Sequence, residues 1–292
     1  PEWNGLALDI RELKGGITNQ LYRVTSGNGM DCVFRFYGKK TELFIDRDAE
    51  MENLRRLGAL GITPRLIRYL PEQCVTVVEF IPGYVLKNQD FLKEDLWERI
   101  ISPIRTVHQS GIRLPSLFNP LIEVRRLYKI LEEINPRYPE FDIPGTIGIL
   151  EKISEVAGVF PSQYVPCHND LLADNFVLTK DGDRSPMCLI DWEYGGMAPV
   201  YYDLADMFQE ILLPRQVERR LLSVYWEGND TDHHQYMTDL FKPYPDIYWF
   251  LWSLIQLNIS SIEFDYYHYG KVKYDNARKN IDFLQNHYGV AL

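Results

Sequence analysis

The sequence predicts an α+β protein of two lobes: a small β-rich N-terminal lobe and a large α-rich C-terminal lobe, with a site between them. Three observations predict it. Apolar and polar residues alternate between Gly-containing turns through residues 6–37. Beyond Pro82-Gly83 the apolar residues recur at helical spacing instead. A polar segment, His168 to Asn175, interrupts that helical part and is flanked by short apolar strands.

In chain order, Leu6, Leu8 and Ile10 alternate with polar neighbours, and Gly15-Gly16 turns the chain into a second strand over 21–25. Gly27-Asn28-Gly29 makes the next turn, into 32–37. A helix follows, with Asp46 as N-cap and Gly61 just past its end. Glu50 shares an apolar stripe with Leu54 and Leu57. An acid on a buried side needs a partner, and Arg35 on the preceding strand is the candidate. A further strand over 75–80 ends at Pro82-Gly83, the expected hinge. The expected division is 1–79 for the first lobe, 80–84 for the hinge and 85–292 for the second lobe.

Past the hinge, helices are expected over 91–109, 123–134, 149–160, 202–211 and 215–226, with the Pro-rich 135–145 as loop. Residues 246–264 are apolar nearly all round, which predicts a buried helix. Ala277, Ile281, Leu284 and Tyr288 mark an amphipathic closing helix from Tyr274.

With 292 residues, 46% hydrophobic and 25% charged, the chain can bury a substantial core. A net charge of -10 argues against a nucleic-acid partner and mildly favours a cationic one. Cys32, Cys74, Cys167 and Cys188 have no C-x-x-C spacing, so they read as small buried hydrophobes in a reducing compartment. No apolar run reaches membrane-spanning length and no leader pattern is visible, so the expectation is a cytoplasmic protein without a membrane span.

The chemistry lies in His168-Asn169-Asp170-Leu171-Leu172-Ala173-Asp174-Asn175 and, one strand later, Leu189-Ile190-Asp191. ATP-dependent phosphoryl transfer needs an aspartate to accept a hydroxyl proton, an asparagine five residues on to hold a metal, and a strand-end aspartate to hold it across the phosphates. Asp170, Asn175 and Asp191 fit those parts. Singly, such residues often do no more than cap a turn. His168 reads as a brace for the loop and not as a base.

This segment resembles the catalytic segment of the choline/ethanolamine kinase family, which has a protein-kinase-like fold. The likeness continues through Gly15-Gly16-Ile17-Thr18-Asn19, Phe34-Arg35-Phe36-Tyr37-Gly38, Asp46-Arg47-Asp48-Ala49-Glu50, Val78-Glu79-Phe80-Ile81 and the Trp-rich stretch from Tyr248. The resemblance implies ATP and magnesium (Mg) as cofactors and a small amino alcohol as acceptor, with ethanolamine ahead of choline and phospholipid headgroup synthesis as the setting. It implies that Gly16, Thr18 and Asn19 cover the nucleotide phosphates and that Arg35 meets them beside Glu50. Glu79, Phe80 and Ile81 would offer main-chain groups to adenine. Tyr194, Trp249, Trp252 and Tyr269 would form the aromatic walls of the acceptor pocket, with Glu210 as its carboxylate. Asp203 would support the catalytic loop. Leu172 departs from the pattern, because choline kinases of animals tend to carry glutamine there. The rivals are a kinase of another small alcohol, of thiamine or aminoglycoside type, and a nucleotide-binding pseudokinase. Exposed helical surfaces could support a homodimer.

Overall fold

The computed structural model describes residues 5–13, 19–38, 41–180 and 187–292. Gly16 and Thr18 lie outside the described residues. Strands β1 (Leu8–Leu13), β2 (Asn19–Ser26) and β3 (Asp31–Tyr37) form an antiparallel meander, with Ile10 opposite Val24 and Val24 opposite Cys32. Helix α1 (Arg47–Leu57) starts at Asp46, whose carboxylate accepts the Ala49 N–H at 3.0 Å. β4 (Leu66–Leu70) and β5 (Val75–Glu79) complete a five-stranded sheet ordered β1-β2-β3-β5-β4. The sequence reading missed β4. It is an edge strand with a register shift between Leu66 and Arg68 and no buried residue, so it shows no clean alternation.

The sheet's own core is small: Val24, Cys32, Val75 and Val77. Met51, Leu54 and Leu57 of α1 join Val78 in a larger core that continues into residues beyond the hinge. Helix α1 is therefore packed into the second lobe as well as against the sheet.

After Glu79 the chain leaves the large sheet. β6 (Gly83–Val85) pairs instead with β8 in a three-stranded sheet. A Cβ at Gly83 would sit 2.5 Å from the Leu178 carbonyl, so this crossing needs glycine. The expected helix over 91–109 is shorter: two 3-10 turns, Asn88–Leu92 and Glu94–Leu96, precede α2 (Trp97–Gln109). α3 (Pro120–Ile134) is capped by Asn119. α4 (Ile143–Ala157) begins within the stretch read as loop, because Asp142 caps it and Pro144 occupies the first turn, where proline is tolerated.

β7 (Val165–Cys167), β8 (Phe176–Thr179), β9 (Met187–Leu189) and β10 (Gly196–Ala198) flank the polar segment. α5 (Val200–Ile211) and α6 (Arg215–Tyr225) follow. α7 (Thr231–Phe241) was not expected, since its first half is polar and its buried apolar residues, Met237, Leu240 and Phe241, gather at its C-terminal end around an ion-paired acid, Asp239. Lys242 meets Glu218 at 2.6 Å and Asp239 at 2.8 Å, and Arg215 meets Asp239 at 2.8 Å. α8 (Pro243–Ile259) is buried from Pro243 through Gln256, and α9 (Tyr266–Tyr288) packs along it, capped by Asp265. Cys32, Cys167 and Cys188 are buried, but Cys74 is exposed at a left-handed turn before β5, so the buried-hydrophobe reading fails there. Among the described residues, no helix is long and apolar enough to cross a membrane.

Candidate active site

The polar segment runs from the end of β7 to the start of β8, and its backbone is held in an unusual shape. Asn169 has φ 65° and Asp191 φ 66°, both in the left-handed region that side chains disfavour. Asp203 on α5 holds the first of these turns. Its carboxylate accepts the His168 N–H at 3.0 Å, the Asn169 N–H at 2.6 Å and His108 Nε2 at 2.8 Å. Burial pushes the Asp203 carboxyl up, but hydrogen bonding and charge from His108, with His168 behind it, hold it below the ordinary carboxylate range. One turn further along α5, Asp206 accepts the Leu171 N–H at 2.7 Å. The residues on both sides of Asp170 are thus anchored by main-chain hydrogen bonds to one helix.

His168 links the loop to the turn that carries Asp191: its Nε2 donates to the Ile190 carbonyl at 2.8 Å, and burial pushes its ring below the ordinary histidine range. Its ring packs 4.6 Å from that of Trp192. The Asn53 amide, from α1, donates to the Gly195 carbonyl at 2.8 Å, and a Cβ at Gly195 would come within 2.8 Å of that amide nitrogen.

Asp170 is buried. Burial first, then the like charges of Asp206 and Asp191, push its carboxyl well above the ordinary range. Asn175 Nδ2 donates to the Asp170 main-chain carbonyl at 2.8 Å, which leaves its Oδ1 without a partner among the described residues. The Ile190 N–H donates to the Asn175 carbonyl at 2.9 Å, bringing Asn175 beside Asp191. One oxygen of Asp191 meets Arg35 at 2.8 Å, while the other has no partner among the described residues. These are the oxygen donors that a hard divalent cation takes, so the donor set suits magnesium.

Arg35 sits at the centre of an ion cluster. It reaches Glu50 at 2.9 Å, Asp191 at 2.8 Å and Glu193 at 3.0 Å. Arg47 answers Glu50 at 2.7 Å and Glu193 at 3.0 Å from the other side. Asn19 joins through Glu193 at 3.1 Å. Sequence reading missed Arg47 and Glu193 as members. Both lie one or two residues from residues it did single out, but spacing alone does not reveal that their side chains converge.

At the hinge the structure narrows the expectation. The Glu79 N–H is taken by the Arg65 carbonyl at 2.9 Å and the Phe80 N–H by the Asp31 carbonyl at 3.3 Å. The Ile81 N–H has no main-chain partner among the described residues. The Arg23 guanidinium lies 3.7 Å from the centre of the Phe80 ring.

Tyr194, Trp249, Trp252 and Tyr269 come together in a row. Successive ring centres are 5.2, 5.8 and 6.4 Å apart. Trp249 Nε1 donates to Asp206 at 3.0 Å. Glu210 arrives already ion-paired with Lys273, whose Nζ lies 5.7 Å from the Tyr269 ring centre. Asp206 and Lys273 were not singled out from the sequence. Asp203, Asp206 and Glu210 fall at helical spacing, a signal that could have found Asp206. A lysine in a polar closing helix offers no such signal.

A family model described as choline/ethanolamine kinase matches residues 10–237. The chain belongs to the choline/ethanolamine kinase family. It is 28% identical over 307 residues to ethanolamine kinase 2 of Mus musculus, covering 96% of this chain and 78% of that protein. With ethanolamine kinase 1 of Homo sapiens it shares 29% identity over 317 residues, covering 96% of this chain and 69% of that protein. Among solved structures, the choline kinase LicA from Streptococcus pneumoniae superposes with a TM-score of 0.80 at 27% identity, covering 96% of this kinase and 95% of LicA. A choline/ethanolamine kinase family protein from Mesorhizobium loti gives a TM-score of 0.81 at 24% identity, covering 97% and 91% of the two chains. Aminoglycoside 2'-phosphotransferase-IIIa shares the fold alone, at 15% identity and a TM-score of 0.63, covering 98% of this kinase and 96% of that chain. The two-lobed, protein-kinase-like architecture read from the sequence is the one that this kinase adopts.

Proposed function

We propose that this kinase transfers the γ-phosphoryl group of ATP to the hydroxyl of ethanolamine or choline, supplying phosphoethanolamine or phosphocholine for phospholipid headgroups in the cytoplasm. The observation that carries it is the conjunction of Asp170, flanked by the free oxygens of Asn175 and Asp191, with an aromatic row reached through Asp206. The polar group supports phosphoryl transfer, and the aromatic row supports a cationic acceptor.

The nucleotide would lie between the lobe of residues 1–79 and that of 85–292, with adenine at the hinge of residues 80–84. The Ile81 N–H would face adenine, and Asn19, with Gly16 and Thr18, would cover the phosphates. LicA has been solved in complex with AMP, which supports a nucleotide site on this fold. Arg35, held by Glu50, orients Asp191 toward the phosphates. Magnesium, held by Asn175 and Asp191, would neutralise charge on the phosphate oxygens.

Asp170 takes the acceptor's hydroxyl proton as the hydroxyl oxygen bonds to the γ-phosphorus and the bond to the bridging oxygen of ADP breaks. Tyr194, Trp249, Trp252 and Tyr269 hold the ammonium end. Asp203 and His168 keep the loop in shape. The ethanolamine kinases among the relatives support ethanolamine as the preferred acceptor, and LicA supports choline beside it.

The test is ADP release from magnesium-ATP with ethanolamine, choline, thiamine and an aminoglycoside, with Asp170→Ala as control. Turnover on the two amino alcohols that falls by about three orders of magnitude in the variant, with nucleotide binding retained, is the expected result. Equal turnover on thiamine or the aminoglycoside, or turnover that survives the substitution, would overturn the assignment.

A further inference from the structure

Helix α5 presents three acids along one face: Asp203, Asp206 and Glu210. Two are already answered. Asp203 holds the catalytic loop and His108, and Glu210 is ion-paired with Lys273, whose ammonium also stands 3.9 Å from Asp246. Asp206 differs. It is fully buried, and its two oxygens accept neutral N–H groups, from Leu171 at 2.7 Å and Trp249 at 3.0 Å. Among the described residues, no lysine or arginine forms an ion pair with it.

Neutral N–H donors stabilise a carboxylate but do not cancel its charge, and a buried uncompensated charge is costly. The cost shows in the Asp206 carboxyl, which burial and then the like charge of Glu210 push well above the ordinary range. The position of Asp206 matches the missing cation. One of its oxygens touches the residue after Asp170, where the acceptor's hydroxyl must lie. The other touches Trp249 in the aromatic row, where an ammonium would sit. In the same row the Trp252 indole N–H is buried without a partner among the described residues.

We propose that Asp206, and not the lysine-paired Glu210, is the counter-charge that selects a cationic acceptor, and that it couples the aromatic pocket to the catalytic loop. It is a specificity-determining and positioning residue. The inference deepens the amino-alcohol reading above and rests on it.

The test compares choline with 3,3-dimethylbutan-1-ol, a neutral alcohol of nearly the same shape, in the wild type, Asp206→Asn and the double variant Glu210→Gln/Lys273→Met. The readout is the ratio of kcat/KM for the charged over the uncharged alcohol. In Asp206→Asn this ratio is expected to fall at least about tenfold, as when one partner of a buried charge pair is removed, while the KM for ATP stays unchanged. The double variant removes the Glu210–Lys273 pair; because Lys273 also faces buried Asp246, a melting curve accompanies it, and in the folded variant the ratio should stay within about threefold of wild type.

A parallel fall on both alcohols in Asp206→Asn would make Asp206 a folding residue and overturn the proposal. Loss of the preference in the double variant would overturn it independently and return the role to Glu210, whether or not Asp206→Asn folds. A wild-type enzyme inactive on every amino alcohol would instead refute the proposed function.

Discussion

Replacing Arg35 with methionine tests how the first lobe is tied to the site. Arg35 is 7% exposed and meets three carboxylates, of which Glu50 is fully buried. Among the described residues, Arg35 and Arg47 give the cluster two cations for three acids, a surplus of one negative charge among them. It falls naturally on Asp191, whose side chain is 30% exposed and can be hydrated. Arg35→Met raises the surplus to two and places the added charge on buried Glu50 and Glu193, which would then share Arg47. Breaking a buried pair in this way costs about 3–5 kcal/mol, and Arg47 argues for about 3. For a protein of this size, that is a fall in Tm of roughly 6–12 °C. Arg35→Lys should recover part of the loss, because a point charge cannot reach three acids as a planar fork does. The measurement is thermal melting of the wild type, Arg35→Met, Glu50→Gln and Arg35→Met/Glu50→Gln, with the ATP KM recorded for each. The double variant should melt above Arg35→Met, with a coupling of at least about 1 kcal/mol. A Tm change below about 2 °C in Arg35→Met would refute the buried-cluster argument, and so would full additivity of the two substitutions.

Asp203→Ala strands two loop N–H groups and His108 in the interior. It should lower kcat about a hundredfold through misplacement of Asp170, with the KM for ATP little changed, as steady-state kinetics would show. Trp249→Ala should raise the acceptor's KM far more than that of ATP, and equal effects would point to a general folding defect. The pH dependence follows from the sign of the Asp170 shift. A base must be ionised, and this carboxyl is held well above the ordinary range, so kcat/KM for the acceptor should fall as pH drops through that raised value. A profile that stays flat toward acid pH would contradict the assignment of Asp170 as the base.

Much of the site was legible because phosphoryl transfer requires particular residue types at fixed spacing on one loop. Asp170 and Asn175 are five residues apart, and Asp191 stands in the turn two residues past the end of β9. Helices with a strong apolar stripe or complete burial, such as α8, were legible for the same kind of reason. Elements held by ions or caps were not. The first half of α7 is polar and its C-terminal end sets the buried Asp239 against Lys242 and Arg215, and α4 starts at a capping Asp142 inside a stretch that composition marks as loop. The edge strand β4 carries no buried face to betray it.

By itself, then, the sequence determined the two-lobed class and marked Asp170, Asn175 and Asp191 as one motif, while Tyr194, Trp249, Trp252 and Tyr269, which the fold brings into a row, were named through the family resemblance. The tertiary structure decided how the charges are shared. Glu210 looks like a free pocket carboxylate until α9 brings Lys273 against it. Asp206 looks like one more helical acid until folding leaves it without an ion pair among the described residues and sets it between Leu171 and Trp249. Counter-charges are assigned by distances between elements far apart in the chain, and those distances exist only once the helices have packed.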